Sequence, residues 1–182
     1  MYIEIDSSDY RVLHPRPVYL VVSRDTHNVL NVMSASWITP VCDEPFLIVF
    51  SLWRGSKTYS NILETREFTV NVVDDKFIDK VWVAGTKSGR ELNKWNLLDL
   101  KPVEPLRIKT PGIDGSLGFL ECVLKNEVVL NDTSLLIASV EAVRVNKELY
   151  EKYGWNLYRT KILMHSGGKG FTTTSKPLYP ST

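Results

Sequence analysis

The chain has 182 residues but only two cysteines, Cys42 and Cys122. They form no CxxC pair and neither stands beside a histidine, so the usual zinc spacings are excluded. They read as two reduced, mostly buried thiols. No disulfide staple is required, because a chain of this size buries roughly 70% of its unfolded surface. No apolar run approaches the ~20 residues that cross a bilayer. The first residues, MYIEIDSSDYRVLHPRPVYLVV, lack a basic n-region and a small-residue cleavage site, so a cytoplasmic location is expected. The one sequon, Asn131-Asp132-Thr133, then reads as chance. An excess of either charge is also missing. The 22 basic and 21 acidic residues leave a formal charge of +1, which argues against a nucleic-acid platform. Repeats, low-complexity tracts and linkers are absent, and a single domain over residues 1–182 is expected.

What is present is a set of strand-like runs between turn signals. Val18 to Ser23 is rich in β-branched and aromatic residues and follows the breaker His14-Pro15-Arg16-Pro17. Val29 to Thr39 is a second extended run, ending before Pro40, with more Asn and Ser than a core strand usually carries. Phe46 to Leu52 is nearly all apolar, as in a strand covered on both faces. Phe68 to Val73 alternates. Two long strands, Leu117 to Leu130 and Ser134 to Val145, form a hairpin turning at Asn131-Asp132. Short helices are expected over Thr58–Thr65, Asp75–Ala84, Glu91–Leu98 and Lys147–Tyr153, the last ended by Gly154. The tail, KILMHSGGKGFTTT, reads as a short strand and a glycine loop. The sum is a mainly β fold of five to seven strands with short inserted helices. A closed, mostly antiparallel barrel fits best, since closure removes exposed strand edges.

Two stretches are candidate sites. In RGSKT, Arg54, Ser56, Lys57 and Thr58 stand just before a helix. A phosphate ester is well held by a guanidinium, an ammonium, hydroxyls and the free N–H groups of a helix start. The spacing is not that of a nucleoside-triphosphate loop, and a solvated polar turn is the competing reading. In Asn31-Val32-Met33-Ser34-Ala35-Ser36-Trp37, small residues would let a flat ligand approach the backbone; a solvated edge strand is the alternative. His165 stands near the glycine loop, either beside a ligand or as a strand-end histidine with a backbone partner. His14 and His27 read as structural or solvated.

In order, HPRPVYLVV, NVMSASWITPVCDEPFLIVFSL and RGSKTYSNILETREFTVNVV resemble the flavin-reductase-like family of FMN-binding split barrels. Later segments are similar as well: Lys87-Ser88-Gly89-Arg90 through Lys94-Trp95, Gly118-Phe119-Leu120-Glu121-Cys122, and His165-Ser166-Gly167-Gly168. The resemblance covers most of residues 12 to 172. It implies a split β-barrel of Greek-key type and a homodimer with FMN near the subunit interface. It would set Arg54, Ser56, Lys57 and Thr58 on the FMN phosphate and Met33, Ser34, Ala35 and Ser36 along the isoalloxazine ring. It gives His165 a place beside the flavin, orienting a donor or substrate.

The chain departs from the family pattern at Gly168-Lys169-Gly170-Phe171, which has no tyrosine where many relatives carry a hydroxyl-bearing aromatic or a Gly-Arg-Tyr run near the C-terminal loop, and at Trp95, where phenylalanine is commoner. The implied activity is an FMN-dependent NAD(P)H oxidoreductase, with NADH or NADPH as donor. The alternative is an FMN electron carrier served by a small-molecule or redox-protein partner without nicotinamide. A flavin-free barrel for oligonucleotides is disfavoured, because the strands do not interleave aromatic with basic residues. No metal site and no membrane or nucleic-acid partner is expected.

Overall fold

The structure is a computed structural model that describes residues 1–181. Nine strands of four or more residues occur among them: β1 (Tyr19–Arg24), β2 (Leu30–Ala35), β3 (Ile38–Asp43), β4 (Phe46–Trp53), β5 (Glu67–Val72), β6 (Gly118–Leu130), β7 (Thr133–Val145), β8 (Leu163–Gly167) and β9 (Gly170–Thr173). Three α-helices are inserted: α1 (Lys57–Thr65), α2 (Ile78–Thr86) and α3 (Lys94–Leu97). The first seven strands make one antiparallel sheet in the order β2-β1-β5-β6-β7-β4-β3. The last two form a small sheet with Arg16–Pro17. No helix among the described residues is long and apolar enough to cross a membrane.

The large sheet curls on itself. Val21 of β1, Ile38 of β3, Phe50 of β4, Phe68 of β5 and Leu136 of β7 share one buried cluster with Ile62 of α1, although β1 and β3 lie near opposite ends of the strand order. Each such side chain contributes roughly 1.5–3 kcal/mol on burial. Leu20 and Val22, on the other face of β1, pack with Phe77, Val81 and Trp95 into a second cluster under α2 and α3. One strand thus serves two cores through simple alternation. The barrel stays split. Its end strands β2 and β3 do not pair; they follow each other in the chain and are joined only by Ser36–Trp37.

Glu121 explains the polar residue in the middle of β6. Its carboxylate is fully buried. It accepts the N–H groups of Leu106 and Arg107, each at 2.7 Å, and of Ile108 at 3.3 Å, which pins the irregular connection between α3 and β6. Cys122 is buried beside it and Cys42 is partly exposed; both thiols are free.

Several expectations need correction. The run Val29–Thr39 is two strands, and the second continues through Pro40. An end strand tolerates proline, because its outer N–H has no partner to lose. Lys147–Tyr153 forms no helix. Tyr150–Glu151 pairs instead with Gly154–Trp155, and the Tyr150 ring meets Trp155 edge-on at 5.0 Å. The third helix covers only Lys94–Leu97 of the expected Glu91–Leu98. A short 3-10 turn over Asp75–Phe77 precedes α2.

Candidate functional site

The split in the barrel is where a cavity of about 490 Å3 opens. One wall is the end strand β2 with the Ser36–Trp37 crossover. The opposite wall is β4, and the floor is the start of α1. Met33, Ser34, Ala35 and Ser36 all line it, as do Ser56, Lys57 and Thr58. The two stretches read as separate candidates are therefore the two sides of one cavity. Because β2 ends the sheet, the N–H and C=O groups along its outer edge have no strand partner.

The α1 end of the cavity is built to receive an anion. Ser56 caps the helix, its Oγ accepting the Tyr59 N–H at 3.0 Å. The N–H groups of Lys57 and Thr58 precede the first helical acceptor and stay unpaired within the helix. The Ser56 hydroxyl proton remains free to donate. Thr58 is buried, and its Oγ1 accepts from Asn31 Nδ2 at 2.8 Å, so its own hydroxyl proton is also free. Asn31 answers the oddity of a polar residue in β2: it ties the strand to the cradle from behind.

Arg90 braces the loop from outside. Its guanidinium donates to Gly55 O at 3.0 Å, Ser56 O at 3.3 Å and Ser60 Oγ at 2.8 Å. Gly89 comes so close that a Cβ there would stand 2.2 Å from Asn31 Oδ1.

Arg54 does not join this group. It is exposed and absent from the cavity wall. Its Nη1 donates to Asn131 O at 3.2 Å and its Nε to Tyr59 Oη at 3.4 Å, toward the β6–β7 turn. Tyr59 Oη donates in turn to Glu127 at 2.7 Å, and Ser134 Oγ does so at 2.5 Å. These two hydroxyls, Ser134 first, hold the Glu127 carboxyl below its usual range. The reason for the separation is local. The chain leaves β4 at Trp53, and the Arg54 N–H bonds to Asp132 O at 2.8 Å, aiming the side chain along the hairpin.

Lys94 was not singled out from the sequence for any role. It is buried in the cavity wall, and its Nζ donates to Ala84 O at 2.5 Å. Burial lowers its pKa to about 8. A lysine in a sequence carries no mark of burial, and only the packing of α3 on β2 reveals this one. Trp37 and Trp53 also line the cavity while keeping much of their surface exposed.

A second cavity, about 270 Å3, adjoins the first across Ser34, Ala35 and Ser36. Val18, Trp82, His165 and Phe171 form its other sides. His165 Nε2 lies 3.1 Å from Gly168 O. A carbonyl only accepts, so in this contact Nε2 is the donor. The imidazole packs between His14 and Phe171, at 5.1 and 5.3 Å between ring centres.

Residues 11–171 match the flavin reductase like domain. The chain belongs to that family. An uncharacterized protein of Archaeoglobus fulgidus is 35% identical to this flavin-reductase-like chain over 164 residues, 90% of each. Among solved structures, the flavoredoxin of Desulfovibrio vulgaris (Miyazaki F) superposes with a TM-score of 0.87 at 20% identity, over 98% of this chain and 97% of that one. An FMN-binding domain of a flavin-reductases-like enzyme from Shewanella baltica gives 0.84 at 22% identity, over 94% and 93%. At these identities the two structures share the fold alone. Within the flavin-reductase-like domain, the turn Gly168-Lys169-Gly170-Phe171 borders the second cavity through Gly168 and Phe171.

Proposed function

We propose that the protein binds FMN in the first cavity and works as an NAD(P)H-dependent flavin oxidoreductase. One observation carries this reading. A single cavity joins the cationic, hydroxyl-rich start of α1 to a flat ledge of small residues on an unpaired strand edge. Its volume falls within the ~300–1,000 Å3 typical of cofactor sites. Lys57, Ser56, Thr58 and the first N–H groups of α1 would hold the phosphate. Met33 to Ser36 would lie along the ring, through main-chain groups.

Bound flavin supplies hydride acceptance at N5. The chain's own part is to bind, orient and stabilise. Lys94 and the edge of β2 are the donors it offers to a ring that gains negative charge on reduction. His165 stands at the neighbouring cavity, where it could orient the second reactant. We also propose a homodimer. Val128, Val129 and Leu130 at the hairpin end are exposed, and across the intervening strand β7 so is Trp53, which itself lines the cavity. Exposed apolar side chains gathered at one end of the sheet favour a partner surface, and sedimentation of the purified protein measures the outcome.

The activity is tested by anaerobic rapid mixing of the FMN-loaded protein with NADH and with NADPH. Bleaching of the flavin absorbance with one of them supports the reductase. Tight FMN binding without bleaching by either would favour an electron carrier fed by another protein. A colourless protein that takes up no FMN would end both readings.

A further inference from the structure

The second cavity has a chemistry of its own. Its sides are apolar and aromatic where Val18, Val81, Trp82 and Phe171 face it, and no carboxylate lines it. At about 270 Å3 it lies below the ~300–1,000 Å3 of sites that take drug-sized ligands. A dinucleotide cannot be contained in it, whereas one substituted six-membered ring can. A cation stands at its edge. Lys169 Nζ lies 5.8 Å from the centre of the Trp82 ring, and Lys169 makes no ion pair among the described residues.

We propose that this cavity is a subsite for a small, flat aromatic carboxylate. The ring packs against Trp82 and Phe171, and the carboxylate meets the Lys169 ammonium. The aromatic walls supply area and edge-to-face contacts for a ring. The ammonium lies over the Trp82 ring, so a carboxylate on a ring packed against Trp82 comes within its reach. The wall shared with the first cavity, Ser34 to Ser36, is made of small residues. A ring seated here lies beside whatever occupies the first cavity. The subsite thereby deepens the flavin reading, and its role as the seat of the second reactant rests on that reading. Its selectivity does not, because protein side chains alone supply it.

Benzoate and benzamide, alike in shape and different in charge, are the probes. Each is titrated calorimetrically into the FMN-loaded protein and into the Lys169→Met variant. Lys169 is exposed in a turn, so the variant retains the fold. Benzoate should bind roughly fivefold tighter than benzamide, with the preference shrinking as salt is added. K169M should bring the ratio to about one while leaving benzamide binding unchanged. Equal binding of the two probes by the native protein would overturn the proposal, as would a preference that survives K169M. Displacement of FMN by benzoate would also overturn it, by placing the acid in the first cavity, while leaving the flavin reading intact. If the protein takes up no FMN, that reading fails on its own, and the same titration on the flavin-free protein still decides the subsite.

Discussion

The loop before α1 and the turn between β8 and β9 face adjoining cavities, yet they are held very differently. The first is fixed at several points: Ser56 caps the helix, Asn31 holds Thr58, and Arg90 donates three hydrogen bonds into Gly55, Ser56 and Ser60. The second has positive φ at Gly167 and Gly168, open space around Gly168, a contact from His165 to the Gly168 carbonyl and the reach of Lys169 over Trp82. A site that must present several donors to one unchanging group gains from such preorganisation. A turn that only borders a second reactant can vary its residues at little structural cost. On the proposed reading the rigid region would carry the cofactor affinity and the lightly held one the selectivity.

The largest expected effect tests how much strain the rigid side stores. Lys94 has its pKa lowered from 10.5 to about 8 by burial. Between those values the unfolded chain binds the proton and the folded one has begun to release it, so stability rises with pH across that window. The gain is about 3 kcal/mol over the whole window at 1.36 kcal/mol per tenfold change in proton affinity, of which roughly 2 kcal/mol falls between pH 7.5 and 9.5. Urea unfolding at pH 7.5 and 9.5 should show a rise in the native protein that is absent in Lys94→Met. An anionic ligand in the cavity should offset the same penalty and flatten the native profile. Parallel profiles for the two proteins would mean that Lys94 is effectively solvated.

Next in size is Lys57. Lys57→Ala should weaken FMN binding by roughly 1.5–3 kcal/mol, the worth of one charge-assisted bond. Riboflavin binding should hold, since riboflavin has no phosphate. Equal losses for both ligands would place the effect in the fold of α1 rather than in contact with the ester.

Glycine substitutions compare the two regions directly. Gly89→Ala puts a methyl 2.2 Å from Asn31 Oδ1, and overpacking of that kind costs about 1–3 kcal/mol. Displacing Asn31 also frees Thr58, so FMN affinity should fall together with stability. Gly168→Ala meets no atom within 4 Å but sits at φ +54, which costs roughly 1–2 kcal/mol of backbone strain. Its stability loss should leave FMN affinity unchanged. A thermal melt and an FMN titration on each variant separate the two cases.

The fold was legible wherever a local rule decided it. The β6–β7 hairpin, the alternation of β5, and the helix expected over Thr58–Thr65, which the structure begins one residue earlier at Lys57, all follow from nearest neighbours in the chain. The ledge Met33–Ser36 and the cradle residues Ser56, Lys57 and Thr58 were legible as separate stretches. Their meeting across one cavity followed only from the family resemblance, which set both on one FMN; no local rule gives it, because it depends on how the sheet curls. The residues that escaped notice act at long range. Arg90 reaches back over thirty residues to its carbonyl acceptors, and Lys94 is buried only because α3 packs on β2. The absent helix at 147–153 shows the converse limit: its local pattern lost to the pairing of Tyr150 and Glu151 with Trp155 and Gly154.

Arg54 is the residue on which sequence spacing and three-dimensional placement disagree most, and it should give the smallest effect. Spacing groups it with Lys57, whereas its guanidinium lies on the hairpin side with Asn131 and Tyr59. An exposed side chain in such a setting contributes little to a ligand it does not touch. Arg54→Ala should shift FMN affinity by less than about threefold. The double substitution of Arg54 and Lys57 should then match Lys57→Ala alone, because two sites without a shared partner add independently. If Arg54→Ala instead costs as much as Lys57→Ala, the side chain must swing from Asn131 to the phosphate when the cofactor arrives. Tyr59 would then lose its guanidinium partner in the bound state, and its hydroxyl would report the change in a difference spectrum on FMN addition.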